Sequence, residues 1–264
     1  MARLAADAAL RGERLAAILV ELRERGQVHV TDLAERFGVS LATLRRDLAI
    51  LEDQGLCVRR YGGAVPTDSS TELPVAYRDR RSKAEKRAVA EAAAKLLPRG
   101  PQTVGFTGGS TTSEIARVLS TRVDLVVVTN ALNIAAEMAA KPRIRVVVSG
   151  GVARSQSTEL VGPWAEAALA QATIGTAYIG VDGLDIEEGL TTHDPVEART
   201  NAALLDRAER VIVVADSSKI GRVLPGRIAQ LSAVHALVTD AGADPGLLRE
   251  IRALGIEVVV AAGA

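Results

Sequence analysis

Cysteine and aromatic residues are scarce in this sequence. Its 264 residues include one cysteine, Cys57, so neither an intramolecular disulfide nor a thiolate cluster around a metal ion can form. Aromatic residues make up 2% of the chain and hydrophobic residues 48%, so the core has to be built mainly from Ala, Val, Leu and Ile. Because β-branched residues suit buried strands and Ala and Leu suit helices, this composition favours a layered α/β architecture.

An excess of charge of one sign is also lacking. The 32 Lys and Arg residues balance 32 Asp and Glu residues, so affinity for a polyanion has to come from a local patch. No apolar run has the length of a membrane span, and the opening segment MARLAADAALRGERL lacks the apolar core of a signal peptide. The histidines, His29, His193 and His235, are scattered without metal-ligand spacing. We therefore expect a cytoplasmic protein that binds no metal ion and uses no cofactor.

The N-terminal part of the chain has the pattern of a winged helix-turn-helix. Helical spacing over residues 15–22 is followed by TDLAERFG, in which Thr31 can cap a second helix. Ser40 can cap a third helix, which runs from Leu41 to about Gln54 with an apolar stripe along one side. The segment LCVRRYGGAV then predicts a short hairpin. Three short helices followed by a hairpin are typical of this DNA-binding fold.

The outer face of the third helix offers side chains that can contact DNA. Its first turns are the part of such a helix that enters the major groove. Arginine can bind guanine through two hydrogen bonds or contact a phosphate, and Thr and Ala can contact a thymine methyl group. The predicted DNA contacts are Ser40, Ala42, Thr43, Arg45 and Arg46 on the helix, with Arg59 and Arg60 on the wing. An amphipathic helix with solvated arginines is the alternative.

The remainder of the chain predicts a second domain. Residues 67–81 are polar or basic and lack periodicity, and Ser82 with Glu85 has the spacing of a capping box. Apolar strands and helical patterns then alternate, with strands predicted at 103–106, 125–128, 144–149, 177–181, 211–215, 235–239 and 256–261. Apolar strands joined by helices predict a Rossmann-like, mostly parallel sheet covered on both faces. The expected domains are a winged helix-turn-helix (1–66), a linker (67–81) and an α/β domain (82–264).

The stretch FTGGSTTSEIARVL lies where the first of these strands meets a helix. Gly108 and Gly109 allow backbone N–H groups to approach an oxyanion, and the hydroxyl residues 110–113 follow. The helix N-terminus adds unpaired N–H groups and the positive end of its dipole. We therefore predict a phosphate-binding turn. The alternative is a capped helix start, because Thr111 and Glu114 have capping-box spacing. A dinucleotide or nucleoside triphosphate site is not predicted, since neither glycine motif matches.

Two parts of the chain resemble the DeoR family of bacterial transcriptional regulators. The first is VTDLAERFGVSLATLRRDLAILEDQGLCVRRYGGAV, with Tyr61 where the family often has His. The second is similar to the family's sugar-phosphate-sensing domain, which is related in fold to ribose-5-phosphate isomerase. It is carried by TGGSTTSEIARVL, VVVTNALNIAAEM, SGGVARSQSTELVGP, AYIGVDGLD, GLTTHDPVEA and VVADSSKIGR. The resemblance implies a homodimeric or homotetrameric repressor of a carbohydrate or nucleoside catabolic operon, controlled by a phosphorylated sugar.

The resemblance also implies which residues bind the effector. The glycine turn would cradle the phosphate, and Lys219 would reach the same anion. Lys219 and Asn130 both follow predicted strands, at the sheet edge where open α/β folds bind ligands. Arg154 can bind phosphate or close a subunit contact. The expected effector-binding residues are Thr107, Gly108, Gly109, Ser110, Thr111, Thr112, Asn130, Arg154, Asp182, Asp185 and Lys219.

A sugar-phosphate isomerase with an accessory N-terminal module is the alternative function. In the isomerases a similar D-G-x-D turn precedes a catalytic glutamate, with a lysine between them. Asp182 and Asp185 match the turn and Glu197 is a possible match for the glutamate, but the intervening IEEGLTTHDPV offers only His193 as a cation. Isomerisation needs a base and a group that stabilises the oxyanion. We therefore expect no catalytic residues and no enzyme activity. A metabolite-binding protein whose first module contacts only proteins is a third possibility.

Overall fold

The protein is described here by a computed structural model that covers residues 2–67, 72–78 and 83–262. The chain divides into two compact units, residues 1–81 and residues 82–264. Among the described residues, no helix combines the length and the apolar character that crossing a membrane requires. Ser82 of the predicted capping box lies outside the described residues.

The first unit is a winged helix-turn-helix, as the sequence predicts. Its elements are α1 (Ala2–Arg25), β1 (Val28–His29), α2 (Val30–Phe37), α3 (Leu41–Asp53), β2 (Cys57–Arg60) and β3 (Gly63–Pro66). The strands form an antiparallel sheet in the order β1-β3-β2. The apolar stripe of α3 is buried against α1, with Leu44, Leu48 and Leu51 in one core cluster with Ile18 and Leu22.

Two details of this unit differ from the sequence-based prediction. Helix α2 begins at Val30 with His29 as its N-cap, so Thr31 lies inside the helix and its hydroxyl bonds the neighbouring Asp32. The reason is that β1 leads directly into the helix without a loop residue. Part of the expected linker is folded, because Leu73 and the short helix α4 (Val75–Arg78) pack into the same core.

Ion pairs with buried carboxylates join the helices of the first unit. Asp47 on α3 is 1% exposed, and its carboxylate lies 2.6 Å from Nε of Arg14 on α1. Glu21, also on α1, binds Arg36 of α2 at 2.6 Å. A buried carboxylate needs such a partner, because an unpaired charge in the core is strongly destabilising. The first pair therefore ties α3 to α1, and the second ties α2 to α1.

The second unit contains a seven-stranded sheet with all neighbouring strands parallel, in the order β15-β14-β12-β9-β4-β5-β6. Its strands are β4 (Gln102–Phe106), β5 (Leu125–Thr129), β6 (Ile144–Val148), β9 (Ile174–Gly180), β12 (Ala208–Val214), β14 (Ala236–Thr239) and β15 (Glu257–Val260). Its helices are α5 (Lys83–Lys95), α6 (Ser110–Leu119), α7 (Leu132–Ala139), α8 (Pro163–Leu169), α9 (Pro195–Leu205) and α10 (Pro245–Ala253). The predicted parallel α/β sheet is confirmed.

Helices cover both faces of this sheet and create two separate cores. One core joins residues of α5, α6 and α7, and the other joins residues of α8, α9 and α10. Strand β9 contributes side chains to both cores, since Tyr178 belongs to the first core while its neighbours Ala177 and Ile179 belong to the second. This alternation is the period-two pattern of a strand. The Tyr178 ring stacks on Phe106 at 5.3 Å between centroids.

Short strands that the sequence analysis did not predict lie beside the main sheet. Strands β7 (Val152–Arg154) and β8 (Glu159–Val161) form a hairpin. Strands β10 (Gly183–Asp185), β11 (Gly189–Thr192) and β13 (Gly226–Ala229) form a small antiparallel sheet. Both additions follow strands β6, β9 and β12 in the chain. They therefore extend from the carboxyl edge of the main sheet.

Candidate nucleic-acid interface and effector site

The first turn of α3 is held by its own cap. Ser40 is the N-cap residue, and its Oγ accepts the Thr43 N–H at 3.1 Å and lies 2.9 Å from the Thr43 hydroxyl. Ala42 is exposed and Thr43 half-buried. The two hydroxyl residues that the sequence assigns to DNA contact thus also position the helix that carries the contact.

Arg45 and Arg46 project from the side of α3 that faces away from its core. Both are exposed, while Leu44, Asp47 and Leu48 on either side of them are buried. Within the described part of the chain, neither arginine has a hydrogen-bond or ion-pair partner in the protein. Two free guanidinium groups at the start of this helix suit a major groove lined by phosphates and guanine acceptors.

The wing treats its two arginines differently. Arg59 Nε lies 2.6 Å from Glu52 Oε2, and the Arg59 N–H donates to Glu52 Oε1 at 2.9 Å. The backbone N–H and then the side chain of Arg59 lower the pKa of the Glu52 carboxyl. Arg60 is exposed and, among the described residues, unpaired, and Tyr61 at the wing tip is fully exposed. Arg60 is therefore freer than Arg59 to contact phosphate.

The glycine turn leads from β4 into α6 without a side-chain cap. Gly109 is the N-cap at φ 131° and ψ 158°, a conformation that is essentially restricted to glycine. No side chain of the described residues caps this helix, and Glu114 pairs with Arg117 instead of forming a capping box with Thr111. The alternative of a capped helix start is therefore wrong. The first N–H groups of α6 remain available to an anion.

Several hydroxyls of the turn bind its own backbone. Thr112 Oγ1 and Ser113 Oγ both donate to the Gly109 carbonyl, at 2.9 Å and 2.7 Å. Thr107 Oγ1 accepts the Gly180 N–H at 2.9 Å and is fully buried. Ser110 is half-buried and Thr111 just buried. Thr107, Thr112 and Ser113 thus hold the shape of the turn, which leaves Ser110 and Thr111 as its available hydroxyls.

Gly108 lies against a glutamate that sequence reasoning missed. The Gly108 N–H donates to the Glu159 carboxylate, although Glu159 is 51 residues further along the chain. A Cβ atom at position 108 would lie 2.5 Å from Glu159 Cγ. Gly108 is therefore needed because the glutamate approaches so closely. Glu159 is 1% exposed and is the first residue of β8.

A second polar cluster extends from the ends of β9 and β12. Lys219 Nζ lies 3.3 Å from Asp182 Oδ1, and the Thr192 hydroxyl lies 3.1 Å from Asp182 Oδ2. The same hydroxyl lies 2.7 Å from Glu197 Oε1. Arg154 completes the cluster, with Nη1 at 3.0 Å from Glu197 Oε2. The structure thus brings together three of the predicted effector-binding residues, Lys219, Asp182 and Arg154. They are linked through Thr192 and Glu197, which the sequence analysis does not assign to the effector.

The cluster and the glycine turn are neighbours. The Gly180 N–H binds Thr107, and a Cβ atom at Gly180 would lie 2.8 Å from the Gly108 carbonyl oxygen. Gly180 ends β9 two residues before Asp182. The turn and the Lys219–Asp182 pair therefore occupy the same region of the carboxyl edge, where ligands bind in open α/β sheets.

Asn130 adds an unused acceptor at this edge. Its side chain is fully buried and Nδ2 donates to Asn201 Oδ1 at 3.0 Å. Its own Oδ1 is buried without a hydrogen-bond partner among the described residues. A buried carbonyl oxygen without a donor is costly, so a ligand hydroxyl at this position would relieve the cost.

Asp194 and Asp185 cap local structure. Asp194 caps α9. Burial raises the pKa of its carboxyl, but the N–H groups of Glu197 and Val196 and the charge of Arg154 outweigh this effect, so the pKa is lowered overall. Asp185 accepts the N–H groups of residues 187 and 188 at 2.9 Å and 3.0 Å, which closes the turn between β10 and β11. Among the described residues, Asp185 is therefore bonded to its own turn and not to the cluster that contains Asp182.

Comparison with known proteins places both units in one family. The profile described as the DeoR-like helix-turn-helix domain matches residues 14–70, and the DeoR C terminal sensor domain matches residues 81–241. A structure of ribose 5 phosphate isomerase A from Neisseria gonorrhoeae is 18% identical, with 51% of this chain and 52% of that chain covered and a TM-score of 0.37.

Relatives match over nearly their whole length. A protein of Escherichia coli O157:H7 named as an aga operon transcriptional repressor is 38% identical, with 94% of this chain and 93% of that protein covered. The regulator GlpR of Haloferax volcanii is 36% identical, with 87% and 90% covered. The glycerol-3-phosphate regulon repressor of Escherichia coli K12 is 33% identical, with 84% and 88% covered. These relatives are named as regulators and not as enzymes. The chain therefore belongs to the DeoR family of DNA-binding transcriptional regulators.

Proposed function

We propose that this regulator represses a carbohydrate or nucleoside catabolic operon and that a phosphorylated sugar controls its binding to the operator. The observation that carries the proposal is the uncapped glycine turn beside the Lys219–Asp182 pair, in a chain whose other unit is a winged helix-turn-helix. A relative named as a glycerol-3-phosphate regulon repressor supports an effector that contains a phosphate ester.

Operator recognition is assigned to the first turns of α3 and to the wing. Arg45 and Arg46 are exposed and unpaired among the described residues, so no internal ion pair has to be broken before they bind DNA. Ser40, Ala42 and Thr43 complete the helix surface, and Arg60 with Arg59 supplies backbone contacts from the wing. Base contacts give sequence specificity, whereas phosphate contacts give affinity that falls with salt.

Gel-shift titration with DNA from the promoters of neighbouring genes tests this assignment. Arg46→Ala should weaken operator binding by roughly 1–3 kcal/mol if the arginine reads a base. Arg60→Ala should weaken binding to all sequences alike and reduce the salt slope by about 1. Arg249→Ala is the matched control, because Arg249 is exposed and unpaired among the described residues but lies in the second unit. Operator binding by both variants at the wild-type level would remove α3 and the wing from the interface.

Effector recognition is assigned to the glycine turn and the polar cluster. The phosphate would accept N–H groups from residues 108–112 and the hydroxyls of Ser110 and Thr111, with Lys219 supplying a full positive charge. Sugar hydroxyls would bind Asp182 and Asn130 Oδ1, which has no hydrogen-bond partner in the described part of the chain. We propose that Arg154 acts mainly by holding Glu197 in place, since it is already bonded to that carboxylate. Asp185 would contribute to the effector site indirectly, by closing the turn between β10 and β11.

A thermal-shift screen of sugar phosphates against the corresponding unphosphorylated sugars tests the phosphate requirement. Gly109→Ala should weaken binding of the sugar phosphate that stabilises the wild type most, because residue 109 needs the glycine conformation and its new Cβ would lie 3.2 Å from Thr112 Oγ1. Gly100→Ala is the matched control, since Gly100 also has a positive φ, 90°, but has no atom within 4 Å of the added Cβ. Equal binding of a sugar and its phosphate ester would overturn the assignment.

We further propose that the protein acts in the cytoplasm as a homodimer or homotetramer. Winged helix-turn-helix regulators commonly read paired half-sites, which requires at least two copies. Exposed apolar side chains on β6 and the segment after it, namely Val147, Val148, Val152 and Trp164, support a subunit contact. Trp164 is the single tryptophan and is 77% exposed, so its fluorescence should shift to the blue on association. A concentration-independent monomer in sedimentation experiments would contradict this proposal.

We also propose that the DNA-binding domain ends at residue 66 and that the sensor domain begins at residue 82, with a linker between them. The division of the chain into compact units after residue 81 supports the second boundary. The packing of Leu73 and α4 into the first core indicates that part of the segment 67–81 folds with the DNA-binding domain.

A further inference from the structure

Glu159 places one of the protein's own carboxylates in the turn that the proposed function assigns to the effector phosphate. Its oxygen accepts the Gly108 N–H, and its side-chain stem packs against the Gly108 backbone. Gly108 is the first glycine of the turn, so its N–H is one of the donors that an incoming phosphate requires. A carboxylate and a phosphate are both anions, and a single N–H group cannot satisfy both.

We propose that Glu159 is an internal competitor of the effector phosphate. It occupies the Gly108 N–H while the site has no effector, and the phosphate displaces it. This inference rests on the proposed effector site, and adds to it the residue that sets both the affinity of the site and the structural response to binding. Like charges held at one donor repel each other, so displacement of the carboxylate is required for tight phosphate binding.

The hairpin turn that carries Glu159 has features of an element with two arrangements. Thr158, the residue before Glu159, has a φ of 60°, and a β-branched residue in this left-handed region is strained. Ser157 is 3% exposed and its hydroxyl has no hydrogen-bond partner among the described residues. Strain and an unsatisfied buried hydroxyl both raise the free energy of this arrangement. Releasing Glu159 from Gly108 would allow both to relax.

The same hairpin reaches the second part of the site. Arg154 and Glu159 are register partners across β7 and β8. Arg154 binds Glu197, while Glu159 itself forms an antiparallel β-bridge with Ala131, the residue directly after Asn130. Movement of Glu159 would therefore displace the residues assigned to the sugar as well as the glycine turn. This gives the effector a physical means of changing the structure of the sensor domain.

Inorganic phosphate is the probe that tests the competition, because it contains the anion without the sugar. Glu159→Gln keeps the size of the side chain and removes its charge. Isothermal titration calorimetry of the full chain at pH 8 and constant ionic strength should show that phosphate binds this variant about tenfold more tightly than wild type. The reason is that the phosphate no longer has to displace a charged acceptor from the Gly108 N–H. Glu159→Ala removes the charge with a different shape and should tighten binding in the same direction. Glu209→Gln is the matched control, since Glu209 is exposed near the start of β12, at the opposite edge of the sheet.

Hydrogen exchange supplies a second readout. In wild type, phosphate should increase the exchange of the amides of residues 155–159, because the turn is released. In Glu159→Gln these amides should exchange faster even without phosphate. A role of Glu159 in packing alone would not make exchange in wild type depend on phosphate.

The outcomes separate this inference from the proposed function. Phosphate binding by wild type that is unchanged or weakened in both Glu159 variants would overturn the competition while leaving the effector site in place. A failure of wild type and both variants to bind phosphate and sugar phosphates alike would overturn the effector site and, with it, the competition. Tighter binding in the two Glu159 variants together with an unchanged Glu209→Gln control would support both.

Discussion

Replacing Lys219 by methionine should reveal two separate roles of this lysine. Its Nζ lies 3.3 Å from Asp182 Oδ1, and the side chains of the two residues are 19% and 8% exposed. Lys219 therefore neutralises a buried carboxylate, and in the proposed function it also binds the effector phosphate. Methionine keeps most of the apolar stem of lysine and removes the charge, so Lys219→Met tests the charge with little change in packing.

The geometry sets the expected size of each effect. Removing one partner of a buried ion pair costs about 3–5 kcal/mol, because the other charge is left without compensation. Lys219 is partly exposed, so water can screen Asp182 and we expect a loss of about 2 kcal/mol in the free energy of unfolding. A charge-assisted hydrogen bond to phosphate contributes about 1.5–3 kcal/mol, so effector affinity should fall at least about tenfold.

The double variant Lys219→Met with Asp182→Asn separates the two roles. Removing the carboxylate as well should restore most of the lost stability in urea denaturation, since the buried charge that Lys219 neutralises is then gone. Restoration of the full effector affinity in calorimetry is not expected, because the phosphate still lacks its cation. The ligand is the sugar phosphate that gives the largest thermal shift with wild type. Wild-type affinity in Lys219→Met would show that the lysine is not in the effector site, and a stability loss that persists in the double variant would show that Asp182 is not its partner.

Three further predictions follow from the same structure. Asp47→Ala should lower the stability of the DNA-binding unit by about 3 kcal/mol in urea denaturation, because Arg14 loses its buried partner; a loss below about 1 kcal/mol would contradict this. The pKa of Asp194 is lowered in the folded state, so its charge stabilises the protein above the ordinary value near 3.9 and loses this effect as pH falls below that value. Asp194→Asn should therefore be less stable than wild type by up to about 1 kcal/mol at pH 7, and this difference should shrink as pH falls below about 3.9, whereas a difference that stays constant with pH would exclude a charge effect. In a coupled assay the protein should not interconvert aldose and ketose phosphates, and turnover that is lost on Asp182→Asn would contradict a purely regulatory role.

The main sheet could be predicted because each of its strands contains a run of at least three apolar residues. The segments 103–106 and 125–128 differ by one residue from β4 and β5 as the structure has them. Strands β7, β8, β10, β11 and β13 are not predicted, because each has only three or four residues and lacks the apolar run that marks equally short strands such as β14 and β15. Their pairing also depends on distant segments, as in β11 with β13, where Thr191 pairs with Arg227.

Those parts of the candidate site that come directly after parallel strands could be predicted, because the fold places them together. A glycine turn between a parallel strand and a helix has to lie at the carboxyl edge, and residues after other strands meet there. This argument anticipates that Lys219 and Asp182 lie together. It does not reveal that Thr107 and Thr112 bind the backbone of the site itself, because a hydroxyl can donate in many directions. The sequence predicts that Asp185 binds the effector, and an aspartate followed by a turn also commonly accepts nearby N–H groups.

The contact of Glu159 with Gly108 could not be predicted from the sequence for a different reason. In the sequence, ELVGP reads as the start of a short apolar segment, and nothing in that pattern indicates contact with a turn 51 residues earlier. The local signal in the sequence is Gly108, because a glycine in such a turn predicts the close approach of a ligand. The structure shows that a protein side chain makes that approach. A glycine in a binding turn can thus be required by an internal group as well as by a ligand.

The hairpin of β7 and β8 connects the two halves of the candidate site, and this connection bears on selectivity for a phosphorylated sugar. Glu159 at one end of the hairpin contacts the glycine turn, and Arg154 opposite it contacts Glu197 of the polar cluster. A free sugar would reach the cluster but leave Glu159 bound to Gly108, whereas inorganic phosphate would displace Glu159 but leave the cluster unoccupied. A ligand changes a conformational equilibrium only through its difference in affinity for the two states. Only a molecule with both groups acts on the hairpin from both sides, so a sugar phosphate should shift the equilibrium further than a mixture of its two parts.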